Sequence, residues 1–254
     1  MEPILKADNL TKIFTRKGQP DFTAVDHISF ELFPGECLGL IGESGSGKTT
    51  VVNMITRLVD ATEGSIVLDG EDITRLSGKG LRKAYSEMQM VFQTPTDSFD
   101  PRRTLGDGIG ESLRNHGMSR AATKREVARL LTECGLSPEF ADRYPHQVSG
   151  GQCQRAAIAR ALAVKPKLLI CDEATSSLDV TIQKEIIALL NELRWNRGSK
   201  LSILFICHDI ALVQQFCNRV LVLYRGKIVE QGIPDEIIRN PQDEYTKRLI
   251  NSIL

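Results

Sequence analysis

The sequence predicts an α/β fold with a mainly parallel core sheet, an antiparallel β part and a helical insertion. Three observations predict it. Short apolar runs alternate with amphipathic segments, as in βα units around a buried sheet. A glycine-rich loop sits between one such run and a helical stretch. From about residue 94 to 164 the chain offers helical periodicity and no convincing strand.

In chain order, residues 4–35 and 64–70 have the alternation of hairpins, and Ile66-Val67-Leu68 runs into the turn pair Asp69-Gly70. Cys37–Ile41 is a brief apolar strand, and Lys48–Val59 reads as a helix with Val51, Ile55, Leu58 and Val59 along its inner side. Leu105–Asn115 and Arg120–Cys134 read as helices, the second carrying the stripe Val127, Leu130, Leu131 and Cys134. An alanine-rich helix is expected over Cys153–Val164. Leu168–Cys171, Ile203–Cys207 and Val220–Tyr224 have the brevity and apolar content of strands covered on both faces. The segment Thr181–Trp195 places Ile182, Ile186, Leu189, Leu190 and Leu193 on one helical face, and Val220–Tyr224 forms a second hairpin with Lys227–Glu230.

Composition narrows the function. Lys+Arg and Asp+Glu both number 32 in 254 residues, a net charge of zero, which gives no support to a nucleic-acid binder or a polybasic membrane-surface protein. At this length about three quarters of the unfolded surface can be buried, so a core needs no staples. The six cysteines, at 37, 134, 153, 171, 207 and 217, form no CxxC pair and several lie in apolar runs, so free buried thiols in a reducing compartment are expected. The N-terminus has no basic-then-apolar leader and no stretch reaches the ~18 apolar residues of a membrane span.

Gly42-Glu43-Ser44-Gly45-Ser46-Gly47-Lys48-Thr49 fits GxxxxGK[ST], directly after the strand Cys37–Ile41 and opening a helix, with Thr50 counted among the nucleotide-binding positions. Glycines let successive N–H groups turn toward phosphate oxygens, the helix start adds partial positive charge, Lys48 reaches the terminal phosphates and the Thr49 hydroxyl ligates Mg²⁺. A chance match in a chain this long has a probability on the order of one per cent. The pattern therefore predicts a nucleoside triphosphate site.

Leu168-Leu169-Ile170-Cys171 runs into Asp172-Glu173. Taken alone, this is equally a solvated strand end. Beside a phosphate loop, Asp172 is placed to hold Mg²⁺ and Glu173 to act as general base on the attacking water. Val148-Ser149-Gly150-Gly151-Gln152 precedes a helix and reads either as an N-cap and turn or as a second anion-binding helix start.

The stretch from Val148 to Leu162 closely resembles the signature of ATP-binding cassette (ABC) ATPases, and Cys171-Asp172-Glu173-Ala174-Thr175-Ser176-Ser177-Leu178-Asp179 resembles the family's second nucleotide motif and D-loop. The resemblance spans essentially the whole chain. It implies one ABC ATPase domain over 1–254: a nucleotide-binding core at 1–93 and 164–232, a helical subdomain at 94–163 and a C-terminal helical tail at 233–254. It implies ATP and Mg²⁺ as cofactors and carries roles to single positions. Phe14 matches the aromatic that stacks on adenine, Gln93 the Q-loop glutamine that ligates Mg²⁺ or water, and His208 the switch histidine on the γ-phosphate. Ser149, Gly150, Gly151 and Gln152 match the signature turn, which in this family touches ATP held by an opposite subunit. Val148, Cys153 and Ala174 depart from the commonest family residues without removing a charge or a phosphate-binding amide.

Met90–Arg102, and the tail Asn240–Leu249, resemble the peptide/nickel importer ATPases. That implies a second ATPase subunit (a heterodimer, with a homodimer possible), two transmembrane permease subunits and, indirectly, an extracytoplasmic solute-binding protein. It also implies residence at the cytoplasmic face of the inner membrane. The tail ends at Leu254 without the cysteine-bearing extension of many such relatives, which the resemblance associates with the shorter member of a pair. Dipeptide, oligopeptide, nickel and metallophore cargoes stay open. The competing expectations are a soluble ABC ATPase acting on ribosomes or DNA, which lacks its usual second cassette or coiled coil here, and a non-hydrolysing regulatory cassette, which the presence of Lys48, Asp172, Glu173 and His208 disfavours.

Overall fold

The computed structural model describes residues 2–15, 18, 20–175, 178–196 and 201–251. Its strands, in chain order, are β1 (Leu5–Phe14), β2 (Phe22–Leu32), β3 (Cys37–Ile41), β4 (Glu63–Leu68), β5 (Glu71–Asp72), β6 (Met88–Val91), β7 (Leu168–Asp172), β8 (Ser202–Ile206), β9 (Arg219–Tyr224) and β10 (Lys227–Gly232). The helices are α1 (Lys48–Ile55), α2 (Gly78–Glu87), α3 (Leu105–Asn115), α4 (Arg120–Glu133), α5 (Gly150–Leu162), α6 (Val180–Asn196), α7 (Ile210–Phe216), α8 (Pro234–Arg239) and α9 (Glu244–Asn251).

Two sheets carry the fold. The first is antiparallel, in the order β2-β1-β4-β5. The second runs β10-β9-β3-β8-β7-β6; all its pairs are parallel except the β9–β10 hairpin. The mainly parallel core sheet, the antiparallel β part and the helical insertion are thus all present.

Alternation along each buried strand sorts its side chains between two cores. Leu38 and Leu40, Leu168 and Ile170, Leu204 and Ile206, and Leu221 and Leu223 face one cluster with α1 and the antiparallel sheet. Ile203 and Phe205, Leu169 and Cys171, and Val220 and Val222 face the other, shared with α5, α6 and α7. That second cluster continues without a break into the helical segment through Leu105, Ile109, Leu130 and Leu131. Every cysteine is a buried free thiol, and Cys37 and Cys217 bring their sulfurs to 3.5 Å.

Two local expectations need correction, and two elements were not expected. The first helix ends at Ile55, not Val59: Thr56 turns its hydroxyl back onto the Val52 carbonyl, Arg57 takes a φ of 57° and its guanidinium pairs with Asp60. Leu58, assigned to the inner face by periodicity, is 60% exposed. The signature helix begins at Gly150, three residues before Cys153, because reciprocal bonds between Ser149 and Gln152 close a capping box that carries two poor helix formers into the first turn. Helix α2 and edge strand β6 escaped the periodicity reading: α2 buries only Ala84, and β6 is four residues long.

Candidate active site

Strand β3 is buried at all five positions and delivers the chain to the loop 42–47. Helix α1 follows with Gly47 as its N-cap, at φ 111° and with no side-chain cap, so its first-turn amides are left for an external acceptor. The loop is wedged on one side. A Cβ on Gly42 would lie 2.2 Å from the Leu223 carbonyl oxygen, and one on Gly47 2.6 Å from that of Ala24, whereas Gly45 has nothing within 4 Å. Gly226 N–H donates to the Ser46 carbonyl at 2.8 Å, Ser46 N–H to the Glu43 carbonyl at 3.1 Å, and Glu43 N–H to the Tyr245 hydroxyl at 2.8 Å.

The Lys48 ammonium, 6% exposed, donates to the carbonyls of Gly42 (2.6 Å) and Glu43 (2.9 Å). Burial pushes its pKa below the usual lysine value, and the charges of Glu173 and Asp172 oppose that shift. Ser46 Oγ is buried with no hydrogen-bond partner. An orphaned hydroxyl, an uncapped helix start and an open glycine face together fit a phosphate group. Glu43, Ser44 and Thr49 are exposed, and Thr50 is half-buried.

Strand order assembles the rest. Because β3, β8, β7 and β6 lie side by side and parallel, their carboxyl ends present the phosphate loop, then His208, then Asp172 and Glu173, then Gln93, along one edge of the sheet. That is where open α/β sheets bind ligands. Asp172 closes β7 opposite Ile206. Burial raises its pKa, the neighbouring Glu173 charge raises it further, and Lys48 opposes both. Glu173 has φ 47° and its N–H donates to the Ile206 carbonyl. The Cys207 thiol, between β8 and the exposed His208, is pushed up to about 12, chiefly by burial.

Phe14 ends β1 opposite Phe22 of β2; the two are 38% and 63% exposed, and the Lys12 ammonium lies 5.1 Å from the Phe14 ring centre. The Ser149 hydroxyl accepts the Gln152 N–H at 3.3 Å while Gln152 Oε1 accepts the Ser149 N–H at 2.9 Å, so the N-cap reading of this turn is realised. Ser149 and Gly150 are exposed, Gln152 is half-buried and Gly151 is buried. Asp179 caps α6 by accepting the Ile182 N–H at 3.0 Å; Ser176 and Ser177 of that motif lie outside the described residues.

Two contributors were not singled out from the sequence. Arg160 of α5 donates to the Ser98 carbonyl and lies over the Phe99 ring at 4.9 Å, tying the signature helix to the segment after Gln93. Tyr245 reaches the phosphate loop from α9. Neither has a local signal, since both act across long sequence separations.

Among the described residues no group of three or more His, Cys, Asp or Glu side chains assembles a metal cage, and no helix is long and apolar enough to cross a membrane. The ABC transporter family profile matches residues 25–176. The glutathione import ATP-binding protein GsiA of Salmonella typhimurium (strain LT2) is 46% identical over 260 residues, 99% of this chain and 41% of that protein. GsiA of Pectobacterium atrosepticum is 44% identical over 259 residues, with the same coverages of 99% and 41%. The chain thus spans about 41% of the length of these curated relatives. Among solved structures, cbiO1 from Clostridium perfringens, part of the ABC transporter complex cbiONQ, superposes with a TM-score of 0.83 at 28% identity, covering 100% of this chain and 96% of that one. The cassette MJ0796, in a dimeric post-hydrolysis state with ADP and Pi, gives 0.81 at 29% identity, covering 91% and 98%.

Proposed function

The chain belongs to the ABC transporter family, and from that premise we propose that it is the ATP-hydrolysing subunit of an importer, working as a dimer beneath two separate permease subunits. The observation that carries the reading is the single sheet edge that places Lys48 and the uncapped start of α1 beside Asp172, Glu173 and His208.

The chain's own groups divide the work. The α1 amides and Lys48 hold the outer phosphates, with Lys48 exchanging two loop carbonyls for phosphate oxygens; the anionic ligand offsets the cost of keeping that ammonium charged in a buried place. Thr49, Asp172 and Gln93 would hold Mg²⁺, which when bound neutralises developing phosphate charge. Glu173 takes the proton from the attacking water, and His208 steadies the γ-phosphate. Phe14 supplies a stacking face for the base. Ser149 and Gly150, exposed at a capped helix start, together with the buried Gly151 behind them, would meet the nucleotide of a second cassette. That partner is a sister ATPase or another copy.

We assign the permease contact to the groove of about 350 Å³ lined by Leu58, Gln89 and Phe92, where Leu58 and Phe92 are 60% and 42% exposed. Through that contact the chain resides at the cytoplasmic face of the inner membrane. GsiA is named for glutathione import, which favours an importer over a ribosome- or DNA-acting ATPase and a peptide-class cargo over nickel. Reconstitution with two permease subunits and a solute-binding protein of the peptide-importer class tests this. ATP-dependent uptake of a small peptide, abolished by Lys48→Ala, is expected. Co-purification with ribosomes and no membrane protein would overturn it.

A further inference from the structure

Tyr245 sits more than two hundred residues beyond the phosphate loop in the chain, yet its hydroxyl accepts the N–H of Glu43, the loop's second residue, at 2.8 Å. Tyr245 is 3% exposed and its ring stacks on Tyr224, with centroids 4.0 Å apart and planes inclined by 20°. Tyr224 leads into the turn at Gly226, whose N–H holds the Ser46 carbonyl. Two adjoining elements therefore grip the loop at two points, the β9–β10 hairpin at Ser46 and α9 at Glu43.

Helix α9 is itself tied down. Glu230 of β10 accepts the N–H groups of Gln242 and Asp243 on its two carboxylate oxygens, at 2.9 and 3.0 Å. Asp243 Oδ1 in turn accepts the Tyr245 N–H at 2.8 Å. A connected path runs from β10 through the start of α9 to the phosphate loop.

A loop with glycines at 42, 45 and 47, all at positive φ, has little conformational preference of its own. Holding it before the ligand arrives reduces the ordering that binding must supply. The Glu43 amide, already committed to Tyr245, acts as a fixed post from which the other amides are aimed.

We propose that Tyr245 is a positioning residue for the phosphate loop, and that the C-terminal helix thereby sets nucleotide affinity. The proposal rests on the nucleotide-binding reading above and gives a role to a tail motif that resemblance had linked only to a subfamily.

Tyr245→Phe keeps the ring and its stack and removes one oxygen. In the full chain, Mg–ATP affinity is measured by calorimetry, and amide exchange of segment 42–47 is measured without nucleotide. The variant is expected to bind Mg–ATP roughly three- to tenfold more weakly, the loss of one hydrogen bond, and to exchange faster over 42–47. Glu230→Gln, which removes one of the two anchoring acceptors, should shift both readouts the same way by less, and serves if the first variant does not fold. Unchanged affinity and exchange in a folded variant would overturn the proposal, even if its melting temperature fell. Wild-type chain that binds no Mg–ATP, or Lys48→Ala that binds like wild type, removes the nucleotide reading instead; the exchange readout then still decides whether Tyr245 holds the loop.

Discussion

The Glu173 N–H donates to the Ile206 carbonyl at 3.1 Å while Glu173 itself sits at φ 47°. Non-glycine residues seldom occupy that region, and those that do are held there by their surroundings. Here the holder is β8, the strand that leads directly to His208. One main-chain bond thus ties the carboxylate read as general base to the segment carrying the histidine read as γ-phosphate sensor.

Glu173→Gln preserves the shape and the main-chain bond and removes the base. Turnover should fall by about 10²–10⁴-fold with Mg–ATP binding retained and a closed dimer trapped, as read by size-exclusion chromatography with ATP. Near-normal hydrolysis would remove Glu173 from the mechanism.

Asp172→Asn should raise the melting temperature of the nucleotide-free chain at neutral pH by roughly 1–3 °C while abolishing Mg²⁺-dependent hydrolysis. Burial, then the Glu173 charge, raise the Asp172 pKa, so its ionised form costs stability in the fold. A raised carboxyl pKa means that the wild type is relatively most stable below the unfolded-state value and loses that advantage as pH rises through the folded one. The gap between variant and wild type should therefore close as pH is lowered. A gap independent of pH would contradict the assignment.

Ser149 caps α5 and is proposed to meet the nucleotide of a second cassette, and substitution can separate the two. Ser149→Ala removes the cap from α5 and should cost about 1 kcal/mol in denaturant unfolding. Ser149→Asp keeps a capping oxygen and suits the helix start electrostatically, so the fold should hold. The added carboxylate would repel a phosphate brought by the second cassette, and ATP-driven dimerisation should be lost. Dimerisation of the Asp variant at wild-type ATP concentrations would show that Ser149 is a cap and nothing more.

Gly42 and Gly45 should respond differently to alanine. At Gly42 the new Cβ meets the Leu223 carbonyl oxygen at 2.2 Å, and melting should drop by roughly 5–10 °C. At Gly45 it meets nothing within 4 Å, so only the φ of 81° is penalised, at about 1 kcal/mol. The larger Gly45→Ala effect should fall on Mg–ATP affinity, because the open face is the side proposed to meet the ligand. Equal melting losses would mean the loop is not wedged as described.

Patterns confined to a few neighbouring residues were legible in the sequence. The phosphate loop, the apolar runs of β3, β7, β8 and β9, the turn at Asp69-Gly70 and the cap at Ser149 each depend on spacing within one turn or strand, where side-chain period and glycine placement act directly. Helix ends were less so: periodicity carried α1 on to Val59, but the left-handed turn at Arg57 leaves Leu58 in solvent.

By itself the sequence determined which segments are read as bearing chemistry, because a glycine loop running into Lys48-Thr49, or two carboxylates at the end of an apolar run, are local facts. Only the tertiary structure decided which of them meet. A strand buried on both faces reads the same at any place in a sheet, so the order β3-β8-β7-β6, which lines up Lys48, His208, Glu173 and Gln93, has no local signal. Nor has the bond between Tyr245 and Glu43, since a hydrogen bond across two hundred residues depends on how whole elements pack.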